Sequence, residues 1–142
     1  MSAKNSRTDD GRIAVVLAMS GILSGVDSWA WRLAKVFREH PRYRLDLLGC
    51  NSNPRKGPHF SGWANWEWQV ARFLRERATR PCVVIANYHW QVVPIACDRI
   101  AAGQRIACIG FCHSDSEREY YAPLAWFEPA FARLVAVSDP RL

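Results

Sequence analysis

The stretch Ile13-Ala14-Val15-Val16-Leu17-Ala18-Met19 decides how the rest of the chain is read. Its residues are apolar at every position, and Arg12 and Ser20 bound them. A strand with one wet face alternates. A strand that is apolar throughout is covered on both faces, as inside a parallel sheet. The residues that follow fit that reading. Ser20-Gly21-Ile22-Leu23-Ser24-Gly25 is a turn with two glycines. Val26, Ala30, Leu33 and Phe37 then recur at helical spacing, predicting a helix from about Val26 to Glu39 that Pro41 ends.

Working outward, Tyr43–Gly49 is a second strand whose stronger alternation places it nearer a sheet edge. Residues 51–62 hold two Pro, two Gly and two Asn and read as a long loop. Trp66–Thr79 is a helix rich in Arg and Glu, with Val70, Phe73, Leu74 and the stem of Arg77 on its inner face. Pro81 introduces a third buried strand, Cys82–Ala86, and Tyr88–Pro94 reads as a loop or helix start. A short helix over Ile95–Ala102 is stopped by Gly103. Ile106–Phe111 is the fourth strand, and a helical stretch from Ser114 to Tyr121 ends at Pro123. A turn near Pro129 precedes the fifth strand, Leu134–Val137. Alternation of strands and helices predicts an α/β fold. We expect a Rossmann-like parallel sheet of about five strands with helices on both faces. Residues 1–11 read as a disordered lead-in and 12–142 as the domain. Ligands of such sheets bind outside the carboxyl ends of the strands, which singles out Ser20–Gly25, Cys50–Gly62, Asn87–Pro94, Cys112–Asp115 and Ser138–Asp139.

The chain has 142 residues, enough for one domain with a core of its own. A domain of that size buries about 68–70% of its unfolded surface without a disulfide or metal staple. Hydrophobic residues at 49% and charged residues at 23% exclude a disordered chain. The formal net charge of +6 favours anionic partners, although the basic residues are spread along the chain rather than run together, as a merely soluble surface would have them. No nucleic-acid partner is expected. Five cysteines without a CxxC pair argue against zinc and against a secreted disulfide scaffold, and fit a reducing cytoplasm. Met1–Arg12 is polar and is no signal peptide, and no apolar run approaches the ~20 residues of a membrane span. The expected location is the cytoplasm, with peripheral contact to the inner face of a membrane as the furthest departure from it.

Each candidate segment has a functional and a plain structural interpretation. The turn holding Gly21, Ser24 and Gly25 lets backbone approach a ligand, and the helix N-terminus after it attracts anions. Ser24 with Asp27 equally has capping-box spacing. The turn is not GxGxxG, it lacks GK[ST], and no acid ends the second strand at Gly49-Cys50-Asn51, so neither NAD nor a P-loop nucleotide is expected. His113 follows the fourth strand and suits a hydrogen bond to a substrate hydroxyl or phosphate near neutral pH. Ser114 and Asp115 beside it are also good helix caps. Asn87, Tyr88 and His89 follow the third strand and suit sugar recognition, where hydroxyls need partners and the apolar ring face packs on an aromatic; filling space over the sheet is the alternative. Trp63, Trp66 and Trp68, with Arg72, Arg75, Arg77 and Arg80 nearby, read as an acceptor platform, a patch for anionic lipid, or a core cluster beside an exposed face. No GxSxG occurs, and the four His and five Cys show no metal-ligand spacing.

Taken in order, RIAVVLAMSGILSGVDSWAWRLAKVF and IACIGFCHSDSEREYY…FARLVAVSD resemble the N-terminal domain of GT-B glycosyltransferases, most like glycosyltransferase family 4. The resemblance spans roughly residues 12–139. It implies a transferase that moves a sugar from a nucleotide-diphospho-sugar to a sugar or lipid-linked acceptor, without metal or cofactor. Gly21 and Gly25 match the loop that meets the donor's phosphates. His113 matches the histidine that faces the transferring sugar, and Ser138 a small polar residue at the end of the fifth strand. The turn reads GILSG and lacks the family's GG pair. The family's second domain, which carries most of the donor site, is not within these residues, so the chain alone is expected to be inactive. The alternative is a non-catalytic α/β domain that binds a partner or associates with itself.

Overall fold

The computed structural model describes residues 10–19, 25–50, 62–63, 67–77, 81–87, 92–112, 126–127 and 129–136. In order, these form β1 (Ile13–Met19), α1 (Gly25–Glu39), β2 (Tyr43–Gly49), β3 (Gly62–Trp63), α2 (Glu67–Arg77), β4 (Cys82–Asn87), α3 (Val92–Ala101), β5 (Ile106–Cys112) and β6 (Phe131–Ala136). All six strands join one sheet in the order β3-β2-β1-β4-β5-β6, and every pairing is parallel. The expected α/β architecture with helices on both faces is present.

β1 is buried from Ala14 to Met19, which explains why it carries no polar side chain. Its residues divide between two cores. Val15, Leu17 and Met19 pack with Leu47 and Ile85 under Ala30 and Ala34 of α1. Ala14, Val16 and Ala18 pack with Leu48, Val84, Ala86 and Cys108 under Val70, Phe73 and Leu74 of α2 and Val92, Val93 and Ala96 of α3. Across β1, β4 and β5 the register aligns Ala18, Ala86 and Gly110.

Gly103 ends α3 as expected, at φ +88°. Its N–H bonds the Ile100 carbonyl at 2.9 Å, and Gln104 N–H reaches back to Arg99 at 3.0 Å, the paired bonds of a Schellman motif.

The structure departs from the sequence reading at five places. Gly62–Trp63, read as loop and helix lead-in, forms the short edge strand β3 against Leu48 and Gly49. α3 starts at Val92 rather than Ile95, so Pro94 lies inside its first turn, where the missing N–H costs no helical bond. β4 and β5 each extend one residue beyond their expected ends at Ala86 and Phe111, to Asn87 and Cys112. β6 starts at Phe131 rather than Leu134, because a register shift between Cys108 and Ile109 breaks the two-residue period. The expected helical stretch over Ser114–Tyr121 lies outside the described residues.

Two substitutions separate the centre of the sheet from its margin. Leu17→Ala removes a fully buried side chain and is expected to cost about 3 kcal/mol. At Gly110 an added Cβ would meet Leu134 Cδ2 at 2.8 Å and Phe131 Cε1 at 2.9 Å. Leu134 is half exposed and free to turn outward, so Gly110→Ala is expected to cost only about 1 kcal/mol. Urea unfolding of both variants measures the difference. Equal losses would contradict this ranking.

Candidate functional site

The chain enters the sheet at β1, moves outward to β2 and β3, and returns on the other side as β4. The strand order therefore reverses between β1 and β4, and the crevice at a parallel sheet's carboxyl edge opens at such a reversal. Local hydrogen bonding agrees. On the β2 side, Cys50 N–H donates to the Met19 carbonyl at 2.8 Å, which closes the seam past the strand ends. On the β4 side the last register pair is Ala18 with Ala86.

The described helices α1, α2 and α3 all start at this edge, α1 on one face and α2 and α3 on the other. α1 begins at Gly25, six positions after Met19, the last residue of β1, and packs on the face of Val15, Leu17 and Met19. α3 begins at Val92, after β4, and packs on the other face. Helix N-termini present free N–H groups and a partial positive charge. The first turn of α3 contains no acidic residue, whereas that of α2 contains Glu67.

Of the residues singled out from sequence, Gly25 is the first of α1 and Asn87 the last of β4, in register with Phe111 of β5. These two stand at the same edge of the sheet. Gly21, Ser24, Tyr88, His89, His113, Asp115 and Ser138 lie outside the described residues. In sequence His113 directly follows Cys112, the last residue of β5. Phe111 packs against Trp29 of α1 with ring centroids 4.4 Å apart, a contact that sequence reasoning missed because the residues are 82 positions apart. Both rings are half-buried and close the α1 side of the sheet near the carboxyl edge.

Among the described residues no group of three or more His, Cys, Asp or Glu could hold a metal ion. No helix of the described residues is long and apolar enough to cross a membrane. In the Trp and Arg cluster, Trp68 is exposed, as are Glu67, Arg72, Arg75 and Glu76 of the same helix. Two acids and two bases cancel there, and Arg72 pairs with Glu76 at 2.9 Å. Arg77 points inward to Asp46, so its charge is not on the surface that lipid would meet. Trp66 and Arg80 lie outside the described residues, as do the side-chain surroundings of Trp63.

All five cysteines are reduced. Burial pushes the Cys82 thiol from its ordinary 9.0 up to about 12, and the negative charge of Asp46 adds to the rise. Burial likewise pushes Cys108 up to about 12, with a smaller contribution from Cys97. Both behave as the small hydrophobes expected from their strands. Cys97 and Cys112 are also raised by burial, but are only half-buried.

No family model matches the chain, and no curated protein or solved structure matches it significantly.

The thiols provide a test of the two-faced core. In the native chain at pH 8, a disulfide-exchange reagent is expected to label Cys50, Cys97 and Cys112 well before Cys82 and Cys108, as read by mass spectrometry. The folded chain holds the protons of Cys82 and Cys108 up to about 12, whereas the unfolded chain releases them near 9.0. Their contribution is therefore complete below pH 9 and is lost as pH rises towards 12. Rapid native labelling of Cys82 would contradict its burial.

Proposed function

We propose that this chain forms the acceptor-side wall of a glycosyltransfer site that takes its sugar from a nucleotide-diphospho-sugar. The observation that carries the reading is the reversal of strand order between β1 and β4, with the starts of α1 and α3 at the same edge. A diphosphate needs N–H donors and positive potential, and two helix N-termini supply both. The resemblance of residues 12–139 to glycosyltransferase family 4 supplies the substrate class. In this reading Gly21, Ser24 and Gly25 approach the diphosphate, and His113 contacts the reacting sugar. Asn87, Tyr88, His89, Asp115 and Ser138 serve the acceptor. Transfer depends on stabilising the leaving diphosphate, so a second wall is required for turnover.

Binding can be measured without turnover. Titration of the isotope-labelled chain with uridine diphosphate glucose or guanosine diphosphate mannose is expected to shift the amides of Met19, Gly25–Ser28 and Asn87, with a dissociation constant of about 1 mM. Shifts confined to the opposite edge, at Arg42 and Arg105, would overturn the placement. In an assembly that transfers sugar, His113→Ala is expected to lower kcat by about 10²–10⁴-fold, and undiminished turnover would remove the role given to His113.

A second reading, self-association without catalysis, is favoured by β6. Leu134 is 49% exposed and Val135 36%, and Trp126 just before the strand is 83% exposed. The outer side of β6 is an edge of the sheet. Exposed apolar surface at an unpaired edge promotes association. Light scattering of the chain is expected to show a dimer that Leu134→Lys dissolves. A monomer at high concentration would dismiss this reading.

A further inference from the structure

The layer between β2 and α2 contains charges that the ligand site does not use. Along β2, Tyr43, Leu45 and Leu47 belong to the α1 face, whereas Arg44 and Asp46 alternate with Leu48 on the α2 face. Asp46 is only 4% exposed and is the one buried charged or polar residue among the described residues. Arg77, the last residue of α2, donates from Nη1 to Asp46 Oδ1 at 3.0 Å. Arg44 Nε stands 3.4 Å from Asp46 Oδ2, near enough for an ion pair, yet neither atom has a hydrogen-bond partner. Arg44 Nη2 donates to the main-chain carbonyl of Arg77 at 3.2 Å. The Arg77 guanidinium lies 5.4 Å from the centre of the Phe73 ring.

β2 therefore grips Arg77 twice, by its side chain and by its carbonyl. The grip is poorly built for stability. Two guanidinium groups share one carboxylate away from water, and an Nε and an oxygen lack hydrogen bonds. Desolvation of such a group cancels much of its attraction. It is well built for discrimination. The stripe of Val70, Phe73 and Leu74 on α2 is apolar, and so is the sheet beneath it. Apolar contact alone does not distinguish neighbouring positions of the helix along the strand. A slip of one helical turn, about 5.4 Å, would break the Arg77 hydrogen bond to Asp46 and leave the buried carboxylate only the longer Arg44 contact.

We infer that Arg44, Asp46 and Arg77 form a registry lock that selects where α2 docks on β2 without adding net stability. α2 runs back across the sheet, from Glu67 at the ligand edge to Arg77 on the far side. Locking its last turn therefore fixes, through a rigid helix, where its first turn stands beside the crevice. The inference is independent of which ligand the crevice takes.

The test compares Asp46→Leu alone with the triple variant Arg44→Met, Asp46→Leu, Arg77→Met. The single variant leaves two half-buried cations without their carboxylate and is expected to lower the urea midpoint. The triple variant is expected to restore the midpoint to the wild-type value or above. At the same time the amide resonances of residues 67–77 should broaden or double, while those of β1 and β4 remain single. A triple variant as weak as the single one, or one that fails to fold, would show that the network stabilises the fold and overturn the lock. A stable triple variant with one sharp set of α2 resonances would overturn it too, because α2 would then find its place unaided.

Discussion

β1 has a hydrogen-bonded strand on each side and a helical layer over each face, and this double enclosure constrains everything else. A strand so placed cannot carry a polar side chain without stranding it, and β1 carries none. Its odd positions demand one cover and its even positions another. α1 answers the first, and α2 and α3 answer the second. Because β1, the first of the described strands, lies inside the sheet, the strands after it build outward on one side and then return to build on the other. The reversal beside β1 follows from that, and the crevice follows from the reversal. The candidate site is thus a consequence of the same burial that makes the core.

The two edges of the sheet handle charge differently. At the amino edge, Arg12 pairs with Asp10, and Arg44, Asp46 and Arg77 form the internal network. At the carboxyl edge, the strand ends Met19, Asn87, Phe111 and Cys112 carry no Lys or Arg, and the first turns of α1 and α2 hold Asp27 and Glu67. In the proposed reading, attraction for an anion there would come from helix N-termini rather than from described cations. Dipoles fixed by the fold need no reorganisation when a charged ligand arrives, which suits the proposed diphosphate site.

Legibility in the sequence followed the strength of the local constraint. β1, β4 and most of β5 could be read because enclosure on two faces leaves nothing but apolar residues, and α1 and α2 could be read from periodicity. β3 could not, since two residues carry no period and their strand character comes from pairing with Leu48 and Gly49. Pro94 misled because proline ends helices in their interior but is tolerated in a first turn. β6 misled because the irregularity opposite Cys108 and Ile109 displaces its pattern. At the site, Gly25 and Asn87 were found from the rule about carboxyl ends, while the Trp29–Phe111 contact depends on tertiary structure and has no local signal. Asp46 did have one: a single acid within YRLDLLG signals a buried partner, and the inward reading of Arg77 already held the other half of the pair.

The margins of the sheet separate the two functional readings. β3 is a short edge, too brief to template another strand. β6 is longer, and its register shift and Arg133 twist and charge the edge, both familiar ways of discouraging unwanted pairing. Yet the exposed Leu134 and Val135 alternate to opposite faces of the strand, so no single covering helix would bury both. Gly110 brings Leu134 and Phe131 close over β5, tying β6 firmly to the sheet. An edge that is anchored inside and apolar outside is what the proposed self-association would use. The crevice faces along the strands, whereas this margin faces across them. The two proposed readings therefore call on different surfaces, and one does not preclude the other.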